Sequence, residues 1–215
     1  NIMDSEDSPC NELIHKFPQT LLGYQKAYRE AGLDNVYTEY FDTVWPVFEK
    51  MCARAYIPPE DYGRMQMNPC HCDFHAGNFK YLPDGTICGS FDYDMAKLDS
   101  RLFEIGLAMH YVFASWKLAT KGVIRLDRME RFIRLYDEEI VKIGKIPPLS
   151  ALEKKYLYEV LIQGTAYVYG WCTSAVVYDP ELNPHEYLYY AQHYVACMEW
   201  LEAHETEIRE LSKRL

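Results

Sequence analysis

The chain has 215 residues, 49% of them hydrophobic and 25% charged, which suits one large globular domain or two small ones. A chain that is disordered throughout is excluded, because such chains have far less apolar content. The 22 Lys and Arg against 32 Asp and Glu give a net charge of −10, which would repel nucleic acid, so we expect no nucleic-acid partner.

The apolar stretches are too short to cross a bilayer. Residues 107–116 are one of the longest and include a histidine, whereas a spanning helix needs about 20 apolar residues. The first residues do not show the basic and then apolar pattern of a secretory signal, and the seven cysteines are odd in number and scattered. We therefore expect a cytoplasmic protein with free thiols and no membrane partner.

The first part of the chain is predicted to be helical after a short irregular start. Residues 1–9 are polar and aperiodic, which indicates an irregular lead-in. Helical spacing follows over residues 19–31 and 38–54, where Pro46 is expected to kink the second helix or limit its first turn. Two short strands then flank Asp84 and Gly85, a strong signal for a β-hairpin, with strands at 78–81 and 86–91.

Everything after the hairpin has helical patterning. Apolar residues recur at helical spacing from Leu102 to Trp116, and Ser150 with Glu153 forms a capping box. The predicted helices are residues 102–116, a helix capped by Asp127 and ended by Gly144, a long helix from Ser150 toward Val177, and a last helix from Pro184 into the tail at Leu215.

His71, Asp73 and Asn78 form the pattern H-x-D-x-x-x-x-N, which is that of the catalytic loop of protein kinases. Phosphoryl transfer needs an Asp that takes or orients the proton of the acceptor hydroxyl, and an amide oxygen nearby that holds a metal. Asp73 and Asn78 suit these two roles. A second carboxylate for the metal is then required, and Asp92 follows directly after the predicted hairpin.

The longer run around this pattern resembles the aminoglycoside phosphotransferase and choline kinase family of small-molecule kinases, and it looks most like the homoserine-kinase-type branch. The resemblance covers residues 69–109 and implies a mainly α, α+β fold, the protein-kinase-like C-terminal lobe, over residues 10–215. Its catalytic loop would occupy 69–94 and its helical remainder 100–215. The matching segments are 71–78 (HCDFHAGN), 84–85 (DG), 91–94 (FDYD) and 99–106 (DSRLFEIG).

The resemblance also implies roles for single residues. The residue after His71 is often glycine in this family and is Cys72 here, so a small side chain is expected to suffice. The implied roles are Asp73 as catalytic base, His71 as support of the loop, Asn78 and Asp92 as magnesium ligands, Asp94 and His75 as further candidates, and Asp99 with Arg101 as a structural contact at the start of the next helix.

ATP and Mg²⁺ are the implied cofactors, but the glycines do not form either of the usual phosphate-binding patterns. The chain also begins with Asn1 rather than Met, so we expect an N-terminal lobe upstream of Asn1 in the full-length protein. The expected acceptor is a small hydroxyl-bearing metabolite that carries an amine, because an acidic cleft concentrates cations. Trp and Tyr of the late helices are available to cage an ammonium group.

Two other interpretations stay open from the residues alone. The first is a non-catalytic binding or scaffold domain that keeps the lobe fold without using nucleotide. The second is a zinc site formed by Cys70, His71, Cys72 and His75, although two cysteines one residue apart are not the usual spacing. Most of the tyrosines of the late helices are expected to serve in aromatic packing.

Overall fold

Helices dominate the part of the chain that the computed structural model describes, residues 8–30, 32, 35–179 and 181–215. The predicted class, mainly α with a small β component, is confirmed. Of the predicted lead-in at 1–9, residues 1–7 lie outside the described residues. The helices are α1 (Cys10–Leu13), α2 (Phe17–Glu30), α3 (Asn35–Arg54), α4 (Pro59–Tyr62), α5 (Arg101–Phe113), α6 (Leu126–Ile143), α7 (Ala151–Lys155), α8 (Leu157–Tyr178), α9 (Pro184–Ala203) and α10 (Glu205–Arg214).

The strands form two antiparallel pairs, β1 (Met67–Cys70) with β4 (Lys97–Ser100) and β2 (Phe79–Tyr81) with β3 (Ile87–Ser90). The second pair confirms the predicted hairpin. The first pair was not predicted, and it closes the base of the segment between β1 and β4 because Cys70 lies opposite Lys97. The chain therefore enters and leaves the segment that carries the kinase-like motif at neighbouring positions.

Helix α8 lies at the centre of the helical part, and α2, α3, α5 and α9 pack around it. It is apolar on nearly all sides, as expected of a helix surrounded by protein. Its approach to α5 is close because both helices place glycine at the contact. A Cβ added to Gly106 would lie 2.8 Å from the Val160 carbonyl oxygen, and one added to Gly164 would lie 3.1 Å from Leu107 Cα.

Several predicted helix boundaries are wrong. Helix α5 ends at Phe113, because Ala114 is extended and bridges to Ile124, so Trp116 lies beyond the helix. Helix α6 begins at Leu126 and Asp127 is already inside it, whereas the predicted glycine stop at Gly144 is confirmed by a left-handed φ of 68°. Pro46 lies well inside α3 rather than in its first turn.

The two long helices predicted for the end of the chain are each divided in two. The capping box at Ser150 and Glu153 is present, but its helix stops at Tyr156, whose ψ of 16° interrupts the ladder. The last helix breaks at His204, which has φ of −115° and ψ of 18° and whose ring nitrogen Nδ1 lies 2.8 Å from the Trp200 carbonyl oxygen. Apolar spacing continues across both breaks, so the sequence pattern does not show them.

No helix in the described part of the chain has both the length and the apolar character needed to cross a bilayer.

Candidate functional site

Cys72 adopts a left-handed backbone conformation with φ of 62° directly after His71. Glycine reaches this conformation at little cost, whereas other residues do so at a penalty. This gives a physical reason for the glycine that the resembled family often has at this place. The amide of Cys72 is held by Glu104 of α5, whose Oε2 accepts its N–H at 3.1 Å. Helix α5 therefore stabilises the turn that leads into Asp73.

The carboxylate of Asp73 is held by neutral donors on both of its oxygens. Asn78 donates through Nδ2 to Asp73 Oδ2 at 2.8 Å and to the Asp73 backbone carbonyl at 3.0 Å. The hydroxyl of Tyr111 donates to Oδ1 at 3.0 Å. The structure thus brings together the two motif residues assigned from their spacing and adds a tyrosine that was not assigned.

His75 approaches the same carboxylate from within the turn. Its Nδ1 accepts the N–H of Gly77 at 3.0 Å, so in the neutral ring the proton resides on Nε2. Nε2 lies 3.3 Å from Oδ2 of Asp73. The ring also packs edge to face on Tyr111, with centroids 5.3 Å apart. His75 is therefore part of the surroundings of Asp73 rather than an isolated turn residue.

His71 connects the turn to the segment that carries the second carboxylate. Its side chain is buried, and Nε2 lies 2.9 Å from the Phe91 carbonyl oxygen. The N–H of Phe91 in turn donates to the Asn78 carbonyl oxygen at 3.1 Å. These two contacts place the backbone just before Asp92 against the turn that bears Asp73.

Asp92 and Asp94 are exposed and lie next to each other. Asp92 has a left-handed φ of 66°, an uncommon conformation for a residue other than glycine. A hydrogen bond with Asp94, together with the charge of that carboxyl, raises the pKa of Asp92, and the charge of Asp73 acts in the same direction. Carboxylates that repel one another in this way are stabilised by a cation bound between them.

Asp73, Asp92 and Asp94 line one cleft of about 670 Å³. Aromatic residues from α5, α8, α9 and the loop after α5 make up much of the remaining lining. Trp116 of that loop stacks on the buried His193, with ring centroids 3.5 Å apart and planes at 12°. The aromatic residues that line the cleft are Tyr111, Trp116, Tyr167, Trp171, Tyr190 and Tyr194. The cleft therefore has an acidic side and an aromatic side.

The donor set on the acidic side fits a small hard divalent cation. Such an ion prefers oxygen ligands and is commonly bound by one or two carboxylates, with phosphate and water completing its shell. Asp92 and Asp94 offer carboxylate oxygens, whereas Asn78 bonds Asp73 through Nδ2. The Asn78 side chain is buried and is not among the residues that line the cleft.

The alternative of a zinc site at Cys70 to His75 is wrong. Within the described residues there is no group of three or more His, Cys, Asp or Glu side chains arranged to hold a metal. Burial, and then the nearby Glu104, raise the pKa of the Cys70 and Cys72 thiols, that of Cys72 to about 12, so both are protonated at neutral pH. Zinc binds the thiolate form. All seven cysteines are free of disulfides, as predicted.

Asp99 and Arg101 are buried, but each has partners other than the other one. Asp99 accepts the N–H of Cys10 at 2.7 Å and the hydroxyl of Tyr62. Arg101 forms a two-point ion pair with Glu153, with N–O distances of 2.7 and 2.8 Å. The predicted contact between Asp99 and Arg101 is therefore replaced by long-range contacts of Asp99 with Cys10 and Tyr62 and of Arg101 with Glu153.

Sequence reasoning missed Glu104 and Tyr111 as parts of the site. The two residues are seven positions apart in α5, so they lie on one face of that helix. An acid and a tyrosine on the helical face that follows the H-x-D motif are the signal that was available. The apolar residues that predicted α5 lie on the opposite side of this helix.

The chain is similar to curated homoserine kinases. The homoserine kinase of Burkholderia ambifaria (strain MC40-6) is 28% identical over 119 residues, 51% of this chain and 32% of that protein. The homoserine kinase of Cupriavidus metallidurans is 28% identical over 116 residues, with the same two shares. The match thus spans about a third of the length of these curated relatives. No protein-family model matches the chain.

Proposed function

We propose that this chain is the catalytic and acceptor-binding part of an ATP- and magnesium-dependent phosphotransferase that acts on a small hydroxyl-bearing metabolite with an amine. The observation that carries the proposal is the Asp73 carboxylate, which is bonded to Asn78 and lines the same cleft as Asp92. The similarity to homoserine kinases supports a small-molecule kinase. A kinase-like C-terminal lobe is the fold that this proposal assigns to residues 10–215.

Asp73 has the position required of a proton acceptor. Its side chain is about 29% exposed and lines the cleft, so an acceptor hydroxyl can reach it. The two residues that donate to its oxygens, Asn78 and Tyr111, are neutral and so leave the negative charge of the carboxylate in place. In the proposed reaction the acceptor hydroxyl would give its proton to Asp73 as its oxygen forms a bond to the terminal phosphorus of ATP. The bond from that phosphorus to the bridging oxygen would break, and ADP would leave.

The acidic edge of the cleft is the proposed metal site. Asp92 and Asn78 would hold Mg²⁺, with Asp94 beside them. When bound, Mg²⁺ neutralises charge on the phosphates during the transfer. His71 maintains the position of Asp92 relative to Asp73 through its contact with the Phe91 carbonyl.

The acceptor site combines carboxylates with aromatic rings. The rings of Trp116 and Tyr190 pack edge to face with their centroids 6.0 Å apart, and Trp171 lines the same cleft. An ammonium group is attracted to the faces of such rings and to nearby carboxylates. We therefore assign the amine of the acceptor to the aromatic side and its hydroxyl to Asp73.

The nucleotide-binding groups belong, in this proposal, to a part of the full-length protein that precedes these residues. The hairpin beside Asp92 carries exposed apolar side chains at Tyr81, Ile87 and Phe91. Exposed apolar patches of this kind commonly mark contact surfaces. We assign this surface to the contact with the nucleotide-binding part.

Phosphoryl transfer by the full-length protein tests the proposal. We expect turnover with one member of a panel of amino alcohols, amino sugars and homoserine. Asp73→Asn should lower kcat by about 10²- to 10⁴-fold, because it removes the proton acceptor while keeping the side-chain shape. Asp127→Asn is the matched control, since Asp127 is on the exposed surface of α6, outside the cleft.

Calorimetric titration with Mg²⁺ separates a kinase from a scaffold. A kinase should bind the ion more tightly when nucleotide is present, and Asp92→Asn should weaken that binding. No turnover with any acceptor, together with Mg²⁺ binding that does not depend on Asp92, would contradict the proposal and favour a non-catalytic domain.

A further inference from the structure

The hydroxyl of Tyr111, a residue of α5, donates directly to Oδ1 of Asp73 at 3.0 Å. We infer that Tyr111 is a positioning residue that fixes the orientation of the Asp73 carboxylate for proton transfer, an inference that rests on the proposed function. Asn78 holds the other oxygen of the same carboxylate at 2.8 Å. The two donors grip opposite ends of one carboxylate.

Asn78 alone does not fix the carboxylate plane. Its Nδ2 bonds both Oδ2 and the backbone carbonyl of Asp73, so it ties one side of the residue and leaves Oδ1 to other partners. A bond to Oδ1 from a different direction stops rotation about the last side-chain torsion. Proton acceptance depends on such orientation, because a misplacement of about 1 Å can cost about 10²-fold in rate.

Tyr111 comes from a rigid element that is independent of the turn. It lies in α5, and the same helix holds the Cys72 amide through Glu104 at 3.1 Å. Its ring packs edge to face against His75. Burial raises the pKa of Tyr111 well above its ordinary value, so its hydroxyl keeps its proton and remains a donor through the neutral range.

The molecule contains a second pair of the same chemistry that serves as a control. Tyr62 donates its hydroxyl to Asp99, but this carboxyl is fully buried and also accepts the N–H of Cys10 at 2.7 Å. Asp99 is not among the residues that line the cleft. The Tyr62 pair therefore reports what the loss of a tyrosine-to-aspartate hydrogen bond does when only stability depends on it.

Steady-state kinetics of Tyr111→Phe and Tyr62→Phe in the full-length protein provide the first readout. We expect Tyr111→Phe to lower kcat by about 10- to 100-fold while the KM values for acceptor and ATP change by less than about twofold. Tyr62→Phe should lower the unfolding midpoint and leave kcat per folded molecule unchanged. An unchanged kcat in Tyr111→Phe, or equal losses of kcat in both variants, would overturn the inference.

The side-chain amide signals of Asn78 in nitrogen-edited NMR spectra give a second readout that needs no turnover. Because Asn78 Nδ2 is bonded to Asp73, these signals should shift in Tyr111→Phe and remain in place in Tyr62→Phe. Unchanged signals in Tyr111→Phe would overturn the inference. If the wild-type protein transfers no phosphate to any acceptor, the proposed function fails by itself, and the Asn78 signals still decide whether Tyr111 orients Asp73.

Discussion

The 69–94 segment and the contact between α5 and α8 differ in how they use backbone conformation and burial. The segment places two residues other than glycine, Cys72 and Asp92, in left-handed conformations. The helix contact has regular backbone and places Gly106 so near α8 that an added Cβ would lie 2.8 Å from the Val160 carbonyl oxygen. Strained backbone in native proteins concentrates at functional sites, where the surrounding structure has to maintain it. The packed helices α5 and α8 thus support the strained 69–94 segment.

Carboxyl groups show the same difference. Glu153 is buried and paired with the guanidinium of Arg101, so its charge is neutralised by a fixed partner. Asp73 has only neutral donors and a His ring around it and is open to the cleft. A carboxylate paired with arginine stabilises the fold. A carboxylate held by neutral donors keeps a negative charge with which a substrate or a proton can interact. Changes in the two regions should therefore affect different measured quantities.

The largest effect on stability is expected from Arg101→Met. Removal of the guanidinium leaves the buried Glu153 with its hydrogen bonds from Ser150 but without a charged partner, and breaking a buried ion pair in this way costs about 3–5 kcal/mol. Urea denaturation should show that loss, while the activity of the molecules that remain folded stays near that of the wild type. Arg125→Met, at an exposed ion pair, is the control and should change the unfolding free energy by about 1 kcal/mol or less. A loss in Arg101→Met no larger than in this control would contradict the distinction.

Gly106→Ala should cause the next largest loss of stability. The new Cβ would lie 2.8 Å from a backbone oxygen of α8, so the helices must separate, and overpacking of this kind costs about 1–3 kcal/mol. Gly23→Ala is the matched control, because a Cβ there meets nothing within 4 Å, and the better helix propensity of alanine should stabilise α2 by about 0.5–1 kcal/mol. Thermal unfolding of both variants checks the sign, and a stabilised Gly106→Ala would show that the close approach of α5 and α8 is not needed.

Cys72→Val examines the strained segment itself. A β-branched residue at φ of 62° should cost about 1–2 kcal/mol more than Cys72→Ala, which controls for loss of the thiol. The free energy of unfolding of Cys72→Gly should be within about 1 kcal/mol of that of the wild type, because glycine relieves the strain but leaves a small cavity. Equal stability of the Val and Ala variants in urea would show that the left-handed turn is not maintained.

The smallest expected effect is on the pH dependence of stability, to which Glu104 and Glu153 should contribute in opposite directions. Burial raises the pKa of Glu104, so the folded state holds this proton more tightly than the unfolded state, and the contribution of Glu104 to stability falls as pH rises through the raised pKa. Burial acts to raise the pKa of Glu153, but the hydrogen bonds from Arg101 and Ser150 and the charge of Arg101 together outweigh burial and lower this pKa. The stability due to Glu153 is therefore present above the unfolded pKa of about 4.3 and is lost as pH falls through the folded pKa.

Unfolding free energies of Glu104→Gln and Glu153→Gln, measured from acid to neutral pH, check these signs. Relative to the wild type, Glu104→Gln should lose the most stability at the acid end of the series, and Glu153→Gln at the neutral end. Parallel curves for the two variants would show that the environments of the two carboxyl groups do not differ as described.

Much of the helical fold follows from patterns that are local in the chain. The hairpin at Asp84 and Gly85, the stop at Gly144 and the capping box at Ser150 depend on a few adjacent residues, and all three are present. The breaks at Tyr156 and His204 were not predictable in this way. Apolar spacing runs through both breaks, which show only in the backbone angles at Tyr156 and His204.

The sequence by itself determined that His71, Asp73 and Asn78 share one short turn and that Asp92 follows one hairpin later. Covalent spacing sets these relations, since a turn of a few residues offers few ways to arrange them. Only the tertiary structure decided that Tyr111 and Glu104 support this turn, that Trp116 leaves its helix to line the cleft, and that Arg101 pairs with Glu153 rather than Asp99. Those partners are distant in the chain, and they meet because the helices pack at particular distances that no local pattern encodes.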